Sequence, residues 1–261
     1  MKVKIILLLS ALLLAVLIGC GDSSAPSVKG NGGVVSFEFA DEEETEIAKY
    51  TGDSNVVTVP DGVTVIGDHA FEECDFLEKV ILPDGLKEIG WRAFVRCGSL
   101  SDINIPDSVN KIDNAAFADT LIKDAVLPDG VSRASNSLFN GCKLLKSVKL
   151  PDGITEIEFE AFAYCESLTT INMPANLKTI SQGAFYNCIS LTELVLPDGL
   201  IEIGSQSFEK CISLSDINIP NSLKVIEDGA FAGCSSLPDD VKEKMLQINP
   251  NALTSVWDLD D

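Results

Sequence analysis

Apolar and polar positions alternate in a fixed pattern that repeats about every 23 residues from Val56 to Cys234. Eight prolines, Pro60 to Pro220, follow one another at steps of 23, except for one step of 22 from Pro106 to Pro128. A phenylalanine stands eleven residues after each of them, Phe71 to Phe231. Eight matches at two linked offsets mark a repeat protein. Apolar residues lie three and one before the proline, as in Val148 and Leu150, which predicts a short strand with one face inward. Pro-Asp-Gly then supplies a turn: proline presets φ, Asp favours turn geometry, and Gly accepts φ above zero. Apolar residues follow three and six after the proline, as in Ile154 and Ile157. The stretch Ala-Phe-x-x-Cys (Ala161-Phe162 to Cys165) predicts one helical turn packing inward at the back of the unit.

A 23-residue unit cannot bury these residues alone, whereas stacked units form continuous inward ladders. Parallel strands about 4.8 Å apart would make eight coils a rod roughly 35 Å long. The expected fold is therefore an α/β repeat solenoid, with a parallel sheet of short strands on one face and short strands or helical turns on the other.

The flanks read differently. Residues 1–19 carry Lys2 and Lys4 and an apolar run from Ile5 to Ile18, too short for a comfortable membrane span and suited to a signal peptide. The run ends Leu17-Ile18-Gly19-Cys20, which resembles a bacterial lipobox; the resemblance implies cleavage before Cys20 and lipid on its sulfur. Residues 20–33 then form a Gly/Ser-rich tether of roughly 20 Å. Residues 34–55 alternate and then turn through Asp41 to Glu46, as a hairpin cap over the first coil would. Eight repeats occupy 56–234, and 235–261 forms a second cap. Within it, Leu237 to Ile248 predicts a helix with Val241, Met245 and Ile248 on one face, and Leu253, Val256 and Trp257 completing the cover. The third repeat has Thr120 where cysteine belongs, and the fourth has Ala134 for Ile, so a weak point is expected between Phe117 and Leu138.

The repeat resembles the BspA-like leucine-rich repeats of bacterial surface proteins. The match rests on Leu77 to Leu82-Pro83, Leu86 to Ile89-Gly90 and Ala93-Phe94 to Cys97. That resemblance implies a right-handed leucine-rich-repeat coil, a surface or secreted location, and adhesion to host or cell-surface molecules.

Composition adds constraints. The chain carries −21 formal charge, which repels nucleic acid and anionic membranes and keeps a monomer soluble. Cys74, Cys97, Cys142, Cys165, Cys188, Cys211 and Cys234 recur once per repeat, missing only the third. An odd number at one structural position predicts a ladder of free, buried thiols, with neighbouring Cβ atoms about 4.8 Å apart where a disulfide needs about 3.8 Å. Such a line of thiols cannot converge on a metal. The sole histidine, His69, falls at an ordinary exposed position, and no phosphate loop, dinucleotide fingerprint, zinc motif or serine-nucleophile elbow is present. A filled solenoid offers no sugar cleft with paired carboxylates. Catalysis, cofactors and resident metals are therefore not expected.

The candidate binding face is the outward side of the strands. Two residues before each proline it reads Thr58, Ile81, Asn104, Val126, Lys149, Asn172, Val195 and Asn218. Asp102, Asp124, Glu193 and Asp216 flank that row, four before the proline. The expected function is non-catalytic binding of an extracellular protein or glycan by a lipid-anchored scaffold. The alternative is a passive spacer of the cell envelope.

Overall fold

The computed structural model describes residues 33–256 and the strand Ile5–Leu8 (β1). The rest of the expected signal peptide and tether, Cys20 included, lies outside the described residues, as does Trp257.

The repeats build a solenoid with two rows of short parallel strands. The row before the prolines contains β4 (Val56–Thr58), β6 (Lys79–Ile81), β8 (Asp102–Ile103) and β10 (Asp124–Val126). It continues through β11 (Ser147–Lys149), β13 (Thr170–Ile171), β15 (Glu193–Leu194) and β17 (Asp216–Ile217). The row after the Pro-Asp-Gly turns contains β5 (Val65–Ile66), β7 (Glu88–Ile89) and β9 (Lys111–Ile112), then β12 (Glu156–Ile157), β14 (Thr179–Ile180), β16 (Glu202–Ile203) and β18 (Val225–Ile226). Each partner sits one repeat away in register, as in Ile157 with Ile180 and Ile203 with Ile226.

The eight phenylalanines are fully or almost fully buried and stack in one column, with centroids 4.9–5.9 Å apart and planes within 19° of parallel. Tyr50 of the N-terminal cap extends that column, 5.2 Å from Phe71. Burial pushes its phenol up to about 12. The inward residues three and six after each proline are all buried, including Ala134, where the smaller side chain replaces isoleucine.

The back of each coil departs from the expected helical turn. Residues nine and thirteen after the proline hold positive φ, as at His69 and Glu73 (60° each), Arg92 (55°) and Arg96 (57°), with glycine at only four of the sixteen places. These left-handed residues turn alternate amides outward. The N–H groups of His69, Phe71 and Glu73 donate to the carbonyls of Trp91, Ala93 and Val95 in the next coil at 2.9, 2.8 and 2.9 Å. A helical turn would keep those donors within the coil, whereas paired tight turns give the back its own inter-coil ladder. That ladder offsets the roughly 1–2 kcal/mol cost of each left-handed non-glycine residue.

The two ends of the solenoid are built from different elements. β2 (Val35–Phe39) and β3 (Glu46–Tyr50) form an antiparallel hairpin; β1 lies on its outer edge, and β3 pairs in parallel with β5 as the first rung of the solenoid. Asp41 accepts the Thr45 N–H at 2.9 Å and the Glu46 N–H at 3.2 Å, so the acidic run is a closed turn. The hydrogen bond from the Thr45 hydroxyl leads in holding the Asp41 carboxyl low. At the other end, α1 (Asp239–Ile248) begins two residues later than Leu237 and buries Val241 and Met245. Asn251 and Ala252 accept the N–H groups of Gly229 and Phe231 at 3.0 and 2.8 Å, standing in for a ninth coil.

Candidate functional site

Every residue of the proposed binding row, Thr58 through Asn218, is exposed on one side of the strand row, as are Asp102, Asp124, Glu193 and Asp216. Thr58 pairs beside Ile81, and Val126 beside Lys149. The acidic flank is uneven. Asp102 binds the Lys79 ammonium at 2.6 Å, and Asp124 accepts the Ser147 hydroxyl, whereas Glu193 and Asp216 are register neighbours of like charge. Val195 (79% exposed) and Val126 (60%) are the two most exposed large apolar side chains of the described residues, and both lie in this row.

The three asparagines do something the strand pattern alone does not suggest. Asn104 accepts the Leu82 N–H (2.9 Å) and donates to the Leu82 carbonyl (3.2 Å). Asn172 clamps Leu150 in the same way at 2.8 and 2.9 Å, and Asn218 clamps Leu196 at 2.7 and 2.9 Å. At Val59 and Leu127 a backbone carbonyl of the row serves instead, Ile81 and Lys149 each accepting at 2.9 Å. A carboxamide is a peptide group carried on one methylene, so it replaces a rung of the ladder. The sequence signal is asparagine at one fixed offset in repeats three, six and eight.

The clamps coincide with interruptions. The pre-proline row divides into β4-β6-β8, β10-β11-β13 and β15-β17, and each sheet ends on a strand that runs into such an asparagine. The first interruption falls at the 22-residue step, where a weak point is expected. There the other row is interrupted too, Ala134 making only an isolated bridge to Ile157, while the phenylalanine column runs through. The second interruption, between β13 and β15, occurs at an ordinary 23-residue step.

The chemical inventory is structural. Six buried thiols donate to the carbonyl of the preceding coil's phenylalanine, as Cys188 does to Phe162 at 3.1 Å and Cys234 to Phe208 at 3.0 Å. Where the third coil carries Thr120, its hydroxyl bonds to the Phe117 carbonyl at 2.9 Å and meets the Cys142 sulfur at 3.3 Å. Burial pushes the Cys142 thiol up to about 11 and the Cys234 thiol up to about 12. Cys74, at the first coil, is only half-buried. His69 packs edge-on against Trp91 at 4.6 Å and its Nδ1 meets Glu72, which also binds Arg92 at 2.7 Å. This is a partly exposed packing cluster on the back of the coil. Among the described residues, no group of histidine, cysteine and carboxylate side chains could hold a metal ion, and no helix is long and apolar enough to cross a membrane.

A family model described as BspA type leucine rich repeat region, in 6 copies, matches residues 48–169 and 155–260. The leucine-rich-repeat protein of T. pallidum has a solved structure that superposes with a TM-score of 0.59 at 27% identity, over 82% of this chain and 93% of that one. A leucine-rich-repeat protein of Bacteroides ovatus superposes with a TM-score of 0.53 at 28% identity, over 78% of this chain and 66% of that one. No curated protein matches. The repeating Pro and Phe offsets, the two strand rows and the cysteine ladder thus have one reading: the chain belongs to the BspA-type leucine-rich-repeat family, whose solenoids are typically scaffolds for binding rather than catalysis.

Proposed function

We propose that this chain is a lipid-anchored, extracytoplasmic scaffold that binds a protein or glycan through its pre-proline strand face, with adhesion as its role. The observation that carries the reading is the placement of Val126 and Val195. The most exposed large apolar side chains of the described residues share one offset on one face, among carboxylates and asparagines. Repeat proteins use such extended faces for partners, and an apolar centre within a polar rim is the anatomy of a protein interface. The lipobox-like Leu17 to Cys20 supports attachment through lipid, since two or three acyl chains anchor a protein stably where one does not.

The test is to screen the protein against matrix proteins, cell-surface proteins and glycans, then to repeat the positive assay with Val126→Lys and Val195→Lys together. These side chains make no clamp, so the fold is expected to survive, and binding is expected to fall at least tenfold. Unchanged binding by a folded variant refutes this face as the site, and a screen with no partner favours the passive spacer. Cys20→Ala is expected to leave the membrane fraction; retention there refutes the anchor.

A further inference from the structure

We propose that the two interruptions of the strand face form one docking site for an extended peptide segment of a partner, bearing two apolar residues four apart with an acidic residue midway. The proposal rests on the strand-face reading above and specifies its ligand.

At a regular step, the residue five before the proline offers its carbonyl to two amides of the next coil. Lys123, for example, accepts from Lys146 at 2.6 Å and from Ser147 at 3.4 Å. At the first interruption, the equivalent amides of Lys123 and Asp124 make no bond to Ser101, and at the second those of Thr192 and Glu193 make none to Thr169. Both openings therefore leave strand-face amides without their usual ladder partner. The first also holds a cavity of about 250 Å³, lined by Ile103, Ile105, Ile122, Ala125 and Phe139 among others. That is smaller than the roughly 300–1,000 Å³ of small-molecule sites, and suits a side chain better than a whole ligand. Val126 stands on its lip, and Val195 occupies the same offset beside the second opening.

Spacing and charge set the rest. Val126 and Val195 belong to the fourth and seventh coils, so three strand intervals of about 4.8 Å put them roughly 14 Å apart along the axis. An extended peptide advances about 3.4 Å per residue and returns to the same face every second residue. Side chains at i and i+4 therefore match the two openings. The side chain at i+2 falls over the fifth and sixth coils, between Lys149 and Asn172. Lys149 is exposed and forms no ion pair among the described residues, so it is matched by an acidic side chain there.

The probe is a fluorescein-labelled peptide with the core Leu-Thr-Asp-Thr-Leu, titrated into the full chain and read by fluorescence polarisation. Saturable binding is expected. It should weaken at least tenfold when the probe's aspartate becomes lysine, or when its leucines are set three or six residues apart. Lys149→Glu, an exposed change away from the core, should weaken the aspartate probe and restore the lysine probe. Absence of binding, indifference to leucine spacing, or failure of this charge swap overturns the proposal. A screened partner that is lost on Val126→Lys and Val195→Lys but indifferent to Lys149→Glu also overturns it, while leaving the strand-face reading intact.

Discussion

Phe162→Ala is the most direct probe of how the coils hold one another. The Phe162 side chain is fully buried, and the rings of Phe139 and Phe185 lie 5.9 and 5.4 Å away at 15° and 9°. Truncating a buried phenylalanine to alanine costs about 3–5 kcal/mol, set by lost burial and the cavity left behind. Each stacked aromatic pair contributes roughly 0.5–1.5 kcal/mol beyond its area. Phe231 is equally buried but has a single phenylalanine neighbour, Phe208 at 5.0 Å. Phe162→Ala should therefore cost about 1 kcal/mol more than Phe231→Ala, the value of one stack. Guanidinium unfolding followed by far-UV circular dichroism gives both values, and hydrogen exchange resolved by coil shows where protection falls. A double-mutant cycle sharpens the comparison. Phe162 with Phe185 should couple by about 0.5–1.5 kcal/mol, while Phe71 with Phe231 should add within about 0.3–0.5 kcal/mol. Equal coupling in the two pairs, or no coupling in the adjacent pair, would refute the nearest-neighbour picture.

Four further outcomes follow from the same geometry. Burial raises the six inner thiols above their ordinary value near 8.5, so the unfolded chain ionises first. The thiols' contribution is thus complete below about pH 8.5, and each loses about 1.36 kcal/mol per pH unit as pH climbs towards the folded values. Denaturation at pH 7.5 and pH 10 should show a smaller alkaline loss in Cys142→Ala than in the parent; an identical loss would contradict the assignment. Ala115 holds φ at 54°, so Ala115→Gly should relieve roughly 1–2 kcal/mol of strain and return about half through unfolded-chain entropy, raising Tm by about 2 °C. Gly183→Ala, at φ 65°, should lower it. Asp216→Lys replaces a like-charge register pair with Glu193 by an opposite one and should stabilise by about 0.2–1 kcal/mol, an effect that 1 M salt removes.

The sequence made the repeat legible because its inward positions are chemically narrow. Phenylalanine at one offset and cysteine at another must meet their own kind in neighbouring coils, and the column and the thiol ladder are the result. The back turns were harder to read. Positions nine and thirteen after the proline carry histidine, arginine, serine, glutamate and tyrosine as readily as glycine, because inter-coil hydrogen bonds compensate the strain and erase the usual glycine signal. The proposed face was legible as a row of exposed residues, yet the asparagines within it looked like ligand contacts. Their amides are engaged in holding Leu82, Leu150 and Leu196. Alternation assigns a residue to a face and says nothing of what its polar end will grasp. One interruption was foreshadowed by the 22-residue step from Pro106 to Pro128; the other was hidden because the 23-residue step is kept there.

The asparagine clamps, the thiol bonds and the phenylalanine stacks all reach about 22–26 residues along the chain and no farther. A gene segment encoding one whole period can therefore be gained or lost while every remaining contact finds an equivalent partner. Copy number becomes a freely adjustable length, and the two end pieces need to recognise only the coil they touch. Such a molecule can alter its length by recombination, without redesigning its interior.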